Sequence, residues 1–186
     1  MIRDSGGGAS GGGGRALVWR VLGAPLMRIS PHPAYAFRNA VLRAFGADVA
    51  RSARVRRSAA IERPWFVSVG EKSIIGDGAE LSGRGRVTIG RRCTVSQLVH
   101  LATERLTCSG KTEVPEPVVA DIVVEDDAWI AADSLVLPGS VVRRESLVGA
   151  RSVVDGEAPA GMICAGEPAR PRRERGLRRT AGASGA

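Results

Sequence analysis

Few side chains in this sequence could do acid–base or metal chemistry. There are two histidines, His32 and His100, and three cysteines, Cys93, Cys108 and Cys164. His100 could accept a proton near neutral pH; His32 sits between Pro31 and Pro33, in a connecting loop where no chemical role is expected. The cysteines are odd in number, widely spaced and without a CxxC pair. That argues against a disulfide framework or zinc site and for reduced thiols in a cytoplasmic protein. Glu104, Glu113 and Glu116 lie in or beside an irregular stretch, Thr107 to Val123, and each could act as a carboxylate base. Arg170, Arg172, Arg173, Arg175, Arg178 and Arg179 against Glu174 make a basic C-terminal run. Such a run attracts phosphorylated ligands, anionic lipid or nucleic acid, or is a solvated tail. No base-stacking aromatics accompany it, so nucleic acid is not expected as a partner.

The elements that would position these groups follow from a six-residue period. Apolar residues recur at Val49, Val55, Ile61, then Val69, Ile75, Leu81, then Ile89, Val95, Leu101, and again from Val124 through Ile130, Val136, Val142 and Val148. Four places after each stands a second inward site, small where the rows are regular (Ala53, Ala59, Ser73, Ala79, Cys93, Ala128, Ser134) and filled by Trp65, Gly85 and Arg105 in the weaker rows. A period of six fits neither an α-helix nor a simple strand, and reads as a supersecondary repeat. It is the period of a parallel β-helix, three short strands and three corners to each triangular turn, with residues stacking on those 18 positions away. The first three blocks, 49 to 66, 69 to 86 and 89 to 106, are separated by two residues each. Gly70, Gly76, Gly90 and Gly149 suit corners that a Cβ would strain. Periodicity does not set the hand of the coil.

At 186 residues the chain has one domain's length, and a core of stacked aliphatic ladders explains how 4% aromatic residues suffice. The formal charge is +8. Residues 1 to 14 read as a disordered Gly-rich arm, 15 to 47 as a helical cap, 48 to 166 as the solenoid and 167 to 186 as a basic tail. Within the cap, Leu17 to Ile29 carries Arg20, Pro25 and Arg28, too short for a spanning helix and without a signal peptide's apolar core. A second helix is expected from Ala34 to Phe45, with Phe37, Val41, Leu42 and Phe45 on one face. Both should cover the first coil, whose edges would otherwise be open; peripheral membrane contact by Leu17 to Ile29 is the alternative.

With these rows in place, the chain resembles the hexapeptide-repeat acyltransferases, and more narrowly the colanic-acid-type O-acetyltransferases. The resemblance covers roughly residues 15 to 172 and rests on Tyr35 to Gly46, Pro64-Trp65, Val95-Ser96-Gln97, Trp129 to Asp133, Pro138-Gly139, Val148 to Ser152 and Cys164 to Ala169. It implies an all-β solenoid, a left-handed parallel β-helix with an N-terminal helical cap, assembled as a homotrimer. It also implies acetyl-CoA as co-substrate and a sugar or polysaccharide-precursor hydroxyl as acceptor. Trp129, Ala131 and Ala132 would line the thioester end, Gly149, Ala150 and Ser152 would continue the groove, and Gly166, Pro168 and Arg170 would meet the nucleotide end.

One departure bears on catalysis. Where the family has Thr-Gly-Ser-His-Asp, with the histidine as general base, this chain has Thr103-Glu104-Arg105-Leu106-Thr107. Leu106 occupies the histidine's place, and no histidine follows His100. His100 and Glu104 are the substitute candidates. With two histidines, the three-histidine zinc site of β-helical carbonic anhydrases is excluded and no metal is expected. Glu167 is a second departure, since the family run usually has Asn there. Two functions remain open from sequence, an acetyl-CoA-dependent O-acyltransferase and a non-catalytic binding or assembly homologue on the same scaffold.

Overall fold

The structure, a computed structural model, describes residues 12–107 and 115–176. Its body is a left-handed parallel β-helix of about six coils, triangular in section, preceded by helices. Three sheets form the faces of the prism. The first runs from Asp48–Val49 through Val67–Val69, Val87–Ile89, Ile122–Val124 and Val141–Val142 to Glu157–Ala158. On the second lie Arg54–Val55, Ile74–Ile75, Thr94–Val95, Trp129–Ile130, Leu147–Val148 and Met162–Gly166; the third carries Ala60–Ile61, Glu80–Ser82, His100–Ala102, Leu135–Val136 and Val153–Val154.

Every apolar residue that the period marks from Val49 to Val148 is buried, and the column continues through Val154, Ala158 and Cys164. The stacking interval is not uniform. Val49 pairs with Val69 and Val55 with Ile75, 20 apart, before Val124 pairs with Val142 and Ile130 with Val148 at 18. The two extra residues per early coil sit at the corner between the third and first faces. In the first coil that corner is a short 3-10 turn, Pro64–Phe66, with Pro64 buried and Trp65 only half-buried. In the third it opens into an antiparallel hairpin, Glu104–Thr107 against Glu116–Val119. Arg105 therefore points to solvent, and Thr103 fills the inward site instead.

Small inward residues are required because the corners of successive coils nearly touch. Serines there also bond the next coil. Ser73 Oγ donates to Gly90 O at 2.7 Å and Ser140 Oγ to Val154 O at 3.0 Å.

The cap helix begins at Gly12, taking in the last three residues of the stretch read as an arm, and continues through a π turn at Trp19–Gly23 to Ile29. The rest of the arm lies outside the described residues. Trp19, Gly23 and Met27 face the solenoid, and the Trp19 ring N–H donates to Ile61 O at 2.7 Å. A second helix, Tyr35–Ala44, buries Val41 and Leu42, but Phe37 is exposed. Its place on the buried face is taken by Arg38 and Asn39. Arg38 donates to the carbonyls of Val55, Pro31 and His32 and to Ser30 Oγ, all within 2.9 Å, so a buried cation is held by four neutral acceptors. Beyond the sixth coil, Ala169–Glu174 turns back antiparallel on Met162–Gly166. The run read as a tail from residue 167 is thus a strand in its first part, while residues 177–186 lie outside the described ones.

Candidate functional site

Where the second face turns into the third, each coil contributes one short corner, and the corners stack into an edge. Ala131 N–H donates to Val148 O at 2.9 Å, Gly149 N–H to Cys164 O at 2.8 Å, Arg151 N–H to Ala132 O at 3.0 Å and Asp133 N–H to Gln97 O at 3.1 Å. These bonds bring Ala131, Ala132, Gly149, Ala150 and Gly166 into line along the fourth, fifth and sixth coils. None carries a side chain longer than a methyl group, so a strip free of long side chains, the candidate channel, runs along the edge. Trp129 stands beside it, 42% exposed, its ring N–H donating to Ser96 Oγ at 3.0 Å. That bond orients a large apolar plate which packing alone does not hold. Past the channel's far end, the Glu167–Pro168 bond is cis, and Pro168 and Arg170 are exposed on the turn and the returning strand.

Ser152 departs from its expected place in the lining. Its side chain is 1% exposed, and its hydroxyl accepts from Gly166 N–H at 3.1 Å. It occupies the small inward slot, and with the whole residue buried it takes no part in the lining.

The candidate bases lie elsewhere. His100 is on the third face, its Nε2 2.7 Å from Ser82 Oγ. Glu104 is clamped by Arg84 through bonds of 2.9 and 3.0 Å, which holds its carboxyl below the usual carboxylate range. A carboxylate stabilised in its charged form is a weak proton acceptor. Leu106 is 68% exposed on the hairpin, paired with Pro117. Arg105 ties that hairpin to Asp155 in the fifth coil at 3.3 Å, along the edge between the third and first faces. Glu116 is on the hairpin's returning strand, and Glu113 lies outside the described residues. The hairpin and the channel therefore occupy two different edges of the prism, with the third face between them.

Residues at the channel that sequence reasoning passed over are Asp133 and Arg151, paired at 3.4 Å on its rim, and Leu98, exposed at the same corner one coil earlier. Stacking intervals carry the signal. Asp133 and Arg151 are 18 apart, and Leu98 precedes Asp133 by 35, the interval that includes the hairpin. Two cavities among the described residues lie away from the channel. One of about 710 Å³ lies between the cap helix and the first two coils; the other, of about 500 Å³, lies at the corner around Asp126, between the first and second faces.

No family model matches the chain. A relative in Escherichia coli K12 named "Putative colanic acid biosynthesis acetyltransferase WcaF" is 32% identical over 166 residues, covering 88% of this chain and 90% of that one. The chain belongs to the hexapeptide-repeat acyltransferase family. Solved members share its coil. The hexapeptide-repeat acetyltransferase VCA0836 of Vibrio cholerae, complexed with acetyl coenzyme A, matches with a TM-score of 0.78 at 23% identity over 90% of this chain and 91% of that one. A galactoside acetyltransferase in complex with coenzyme A matches with a TM-score of 0.77 at 20% identity over 87% of this chain and 80% of that one.

Proposed function

We propose that the chain transfers an acetyl group from acetyl-CoA to a hydroxyl of a sugar or polysaccharide precursor, working as a homotrimer in the cytoplasm. The observation that carries this reading is the edge of Ala and Gly residues with Trp129 beside it. An extended pantetheine arm needs a channel free of long side chains, and the edge offers one three coils long. In this reading Trp129, Ala131 and Ala132 receive the thioester, Gly149 and Ala150 continue the groove, and Gly166, Pro168 and Arg170 meet the nucleotide. An exposed guanidinium such as Arg170 suits a phosphate, though Glu167 beside it opposes one. A single edge forms one wall only, and in this reading a neighbouring subunit of the trimer supplies the second. Cys93 and Cys164, buried and unpaired among the described residues, support a reducing compartment.

The hydroxyl oxygen attacks the thioester carbonyl carbon, the C–S bond breaks, and CoA leaves as a thiolate that takes up the hydroxyl proton. Positioning and charge stabilisation fall to the protein. Leu106 stands where the family's base would remove that proton, and a missing base forfeits about 10² to 10⁴ in rate. A second reading, a non-catalytic homologue that binds CoA or assembles with a partner, is favoured by Leu106 and by the clamping of Glu104.

Thiol release from acetyl-CoA, followed with a sugar panel for wild type and Leu106→His, separates the two. Slow wild-type release that rises at least a hundredfold in the variant supports a transferase lacking its base. Equal activity in both places the base elsewhere, whereas acetyl-CoA binding without release in either favours the non-catalytic reading. Absence of acetyl-CoA binding to the purified protein would sink the proposal.

A further inference from the structure

The cap helix is apolar on the side that the solenoid does not cover. Its inner stripe, Trp19, Gly23 and Met27, is buried on the first coils. On the outer side Leu17, Val21, Leu22 and Ile29 are exposed by 60 to 78%. A surface helix of a globular protein ordinarily turns charged residues outward, so four large aliphatics there require an occupant. Exposed Arg20 and Arg28 accompany them. No acidic residue occurs between Asp4 and Asp48, which leaves this end of the molecule cationic.

Charge and shape select the occupant. The eleven residues before the helix contain only Met1 and Ile2 as large apolar side chains, too few to cover it. No helix among the described residues is long and apolar enough to cross a bilayer. An apolar face with arginines and no carboxylates is the composition of a helix that lies in the plane of an anionic lipid surface. We propose that the helix from Gly12 to Ile29 docks the molecule on anionic membranes, with Leu17, Val21, Leu22 and Ile29 entering the acyl boundary and Arg20 and Arg28 meeting lipid phosphates. The proposal is independent of catalysis.

Co-sedimentation of the full chain with vesicles tests it. Wild type should pellet with phosphatidylglycerol-containing vesicles and stay in solution with pure phosphatidylcholine. Leu22→Asp combined with Ile29→Asp alters only exposed positions and should lower the bound fraction at least tenfold; circular dichroism should show the fold intact. Arg20→Gln with Arg28→Gln should weaken binding by about fivefold per arginine, less so in high salt. Equal pelleting with neutral vesicles, or unchanged binding in the Asp variant, would overturn the proposal. So would loss of self-association in that variant, by analytical ultracentrifugation, without any wild-type vesicle binding; the occupant would then be a second copy of the chain.

Discussion

Glycines at the corners are needed for a reason that differs from the one their residue type suggests. Gly70, Gly76 and Gly90 do not have positive φ; the obstacle is the next coil. A Cβ on Gly76 would lie 2.5 Å from the backbone carbon of Ser96, and one on Gly70 2.5 Å from Gly90 O. Gly149 is more tolerant, since the nearest atom to its added Cβ would be Ala165 Cβ at 3.1 Å, with Cys164 O and Ser152 Oγ at ordinary contact distances of 3.5 and 3.6 Å. Left-handed positions are held by other glycines, such as Gly78 and Gly161, and also by Lys72, Arg92, Leu98, Asp127, Asp133, Glu145 and Arg151, the latter seven with φ between 54° and 61°. Coil-to-coil hydrogen bonding holds those seven there, at about 1 kcal/mol of strain each. Gly76→Ala is expected to destabilise the protein by roughly 2 kcal/mol or more, because backbone cannot move aside as a side chain can. Gly149→Ala should cost less than half of that. Urea unfolding of the two variants measures the difference, and equal losses would refute the steric account. Burial likewise governs Cys93, whose thiol is pushed up to about 11, so it is a core residue and not a nucleophile.

At the scale of the coil, the inward serines act as cross-coil hydrogen bonds in a column otherwise made of Val and Ile. Ser134 Oγ donates to Gly149 O at 2.9 Å, while Ser146 Oγ, equally buried, has no partner among the described residues. Replacing a satisfied buried hydroxyl and replacing an unsatisfied one have opposite signs. Ser134→Ala should therefore destabilise by about 1 kcal/mol, and Ser146→Ala should be neutral or stabilising by up to about 1 kcal/mol. Thermal unfolding checks the pair, and a loss at both positions would contradict the assignment. On the outside, arginines stitch coils in the same register. Arg92 pairs with Asp127 at 2.6 Å and Arg91 with Asp126 at 2.9 Å. Arg175, counted from sequence among the tail's free charges, donates to Asp127 O at 2.8 Å and anchors the end of the returning strand.

For the whole molecule, these arginine pairs set a pH dependence. Glu104, Glu125, Asp126, Asp127 and Glu157 are all held below their ordinary values, by hydrogen bonds from arginine side chains or, for Asp126 first, from the Arg91 backbone N–H. Below about pH 5 the unfolded chain takes up protons that the folded chain still excludes, so stability rises with pH across that window. The contribution is complete above the unfolded values and is lost as pH falls through the folded ones. The urea midpoint should thus fall between about pH 5 and pH 3, and these groups should leave it flat from pH 6 to 8. A midpoint unchanged down to pH 3 would show that the pairs contribute nothing. High salt should shrink the effect, since the pairs are largely exposed.

The solenoid was legible in the sequence because each six-residue row repeats one local demand: an aliphatic residue pointing in, a small residue at the inner corner, and polar residues outside. Ala131, Ala132, Gly149 and Ala150 were named from the resemblance to the family; counting by 18 says only that Gly149 and Ala150 stack on Ala131 and Ala132. The interruptions of the count were visible, but which inward sites they displace was not. Trp65 and Arg105 were assigned inward sites because nothing in a linear period says which corner absorbs extra residues; packing chose the corner between the third and first faces, and Pro64 and Thr103 took those sites. Arg38 and Asn39 could not be read as buried, because a cation enters a core only when backbone carbonyls from distant segments converge on it. Only tertiary structure, likewise, put Leu106 and the channel on different edges of one prism. Local periodicity determines the coil; which edges end up apart depends on how the coils close and where the hairpin leaves them.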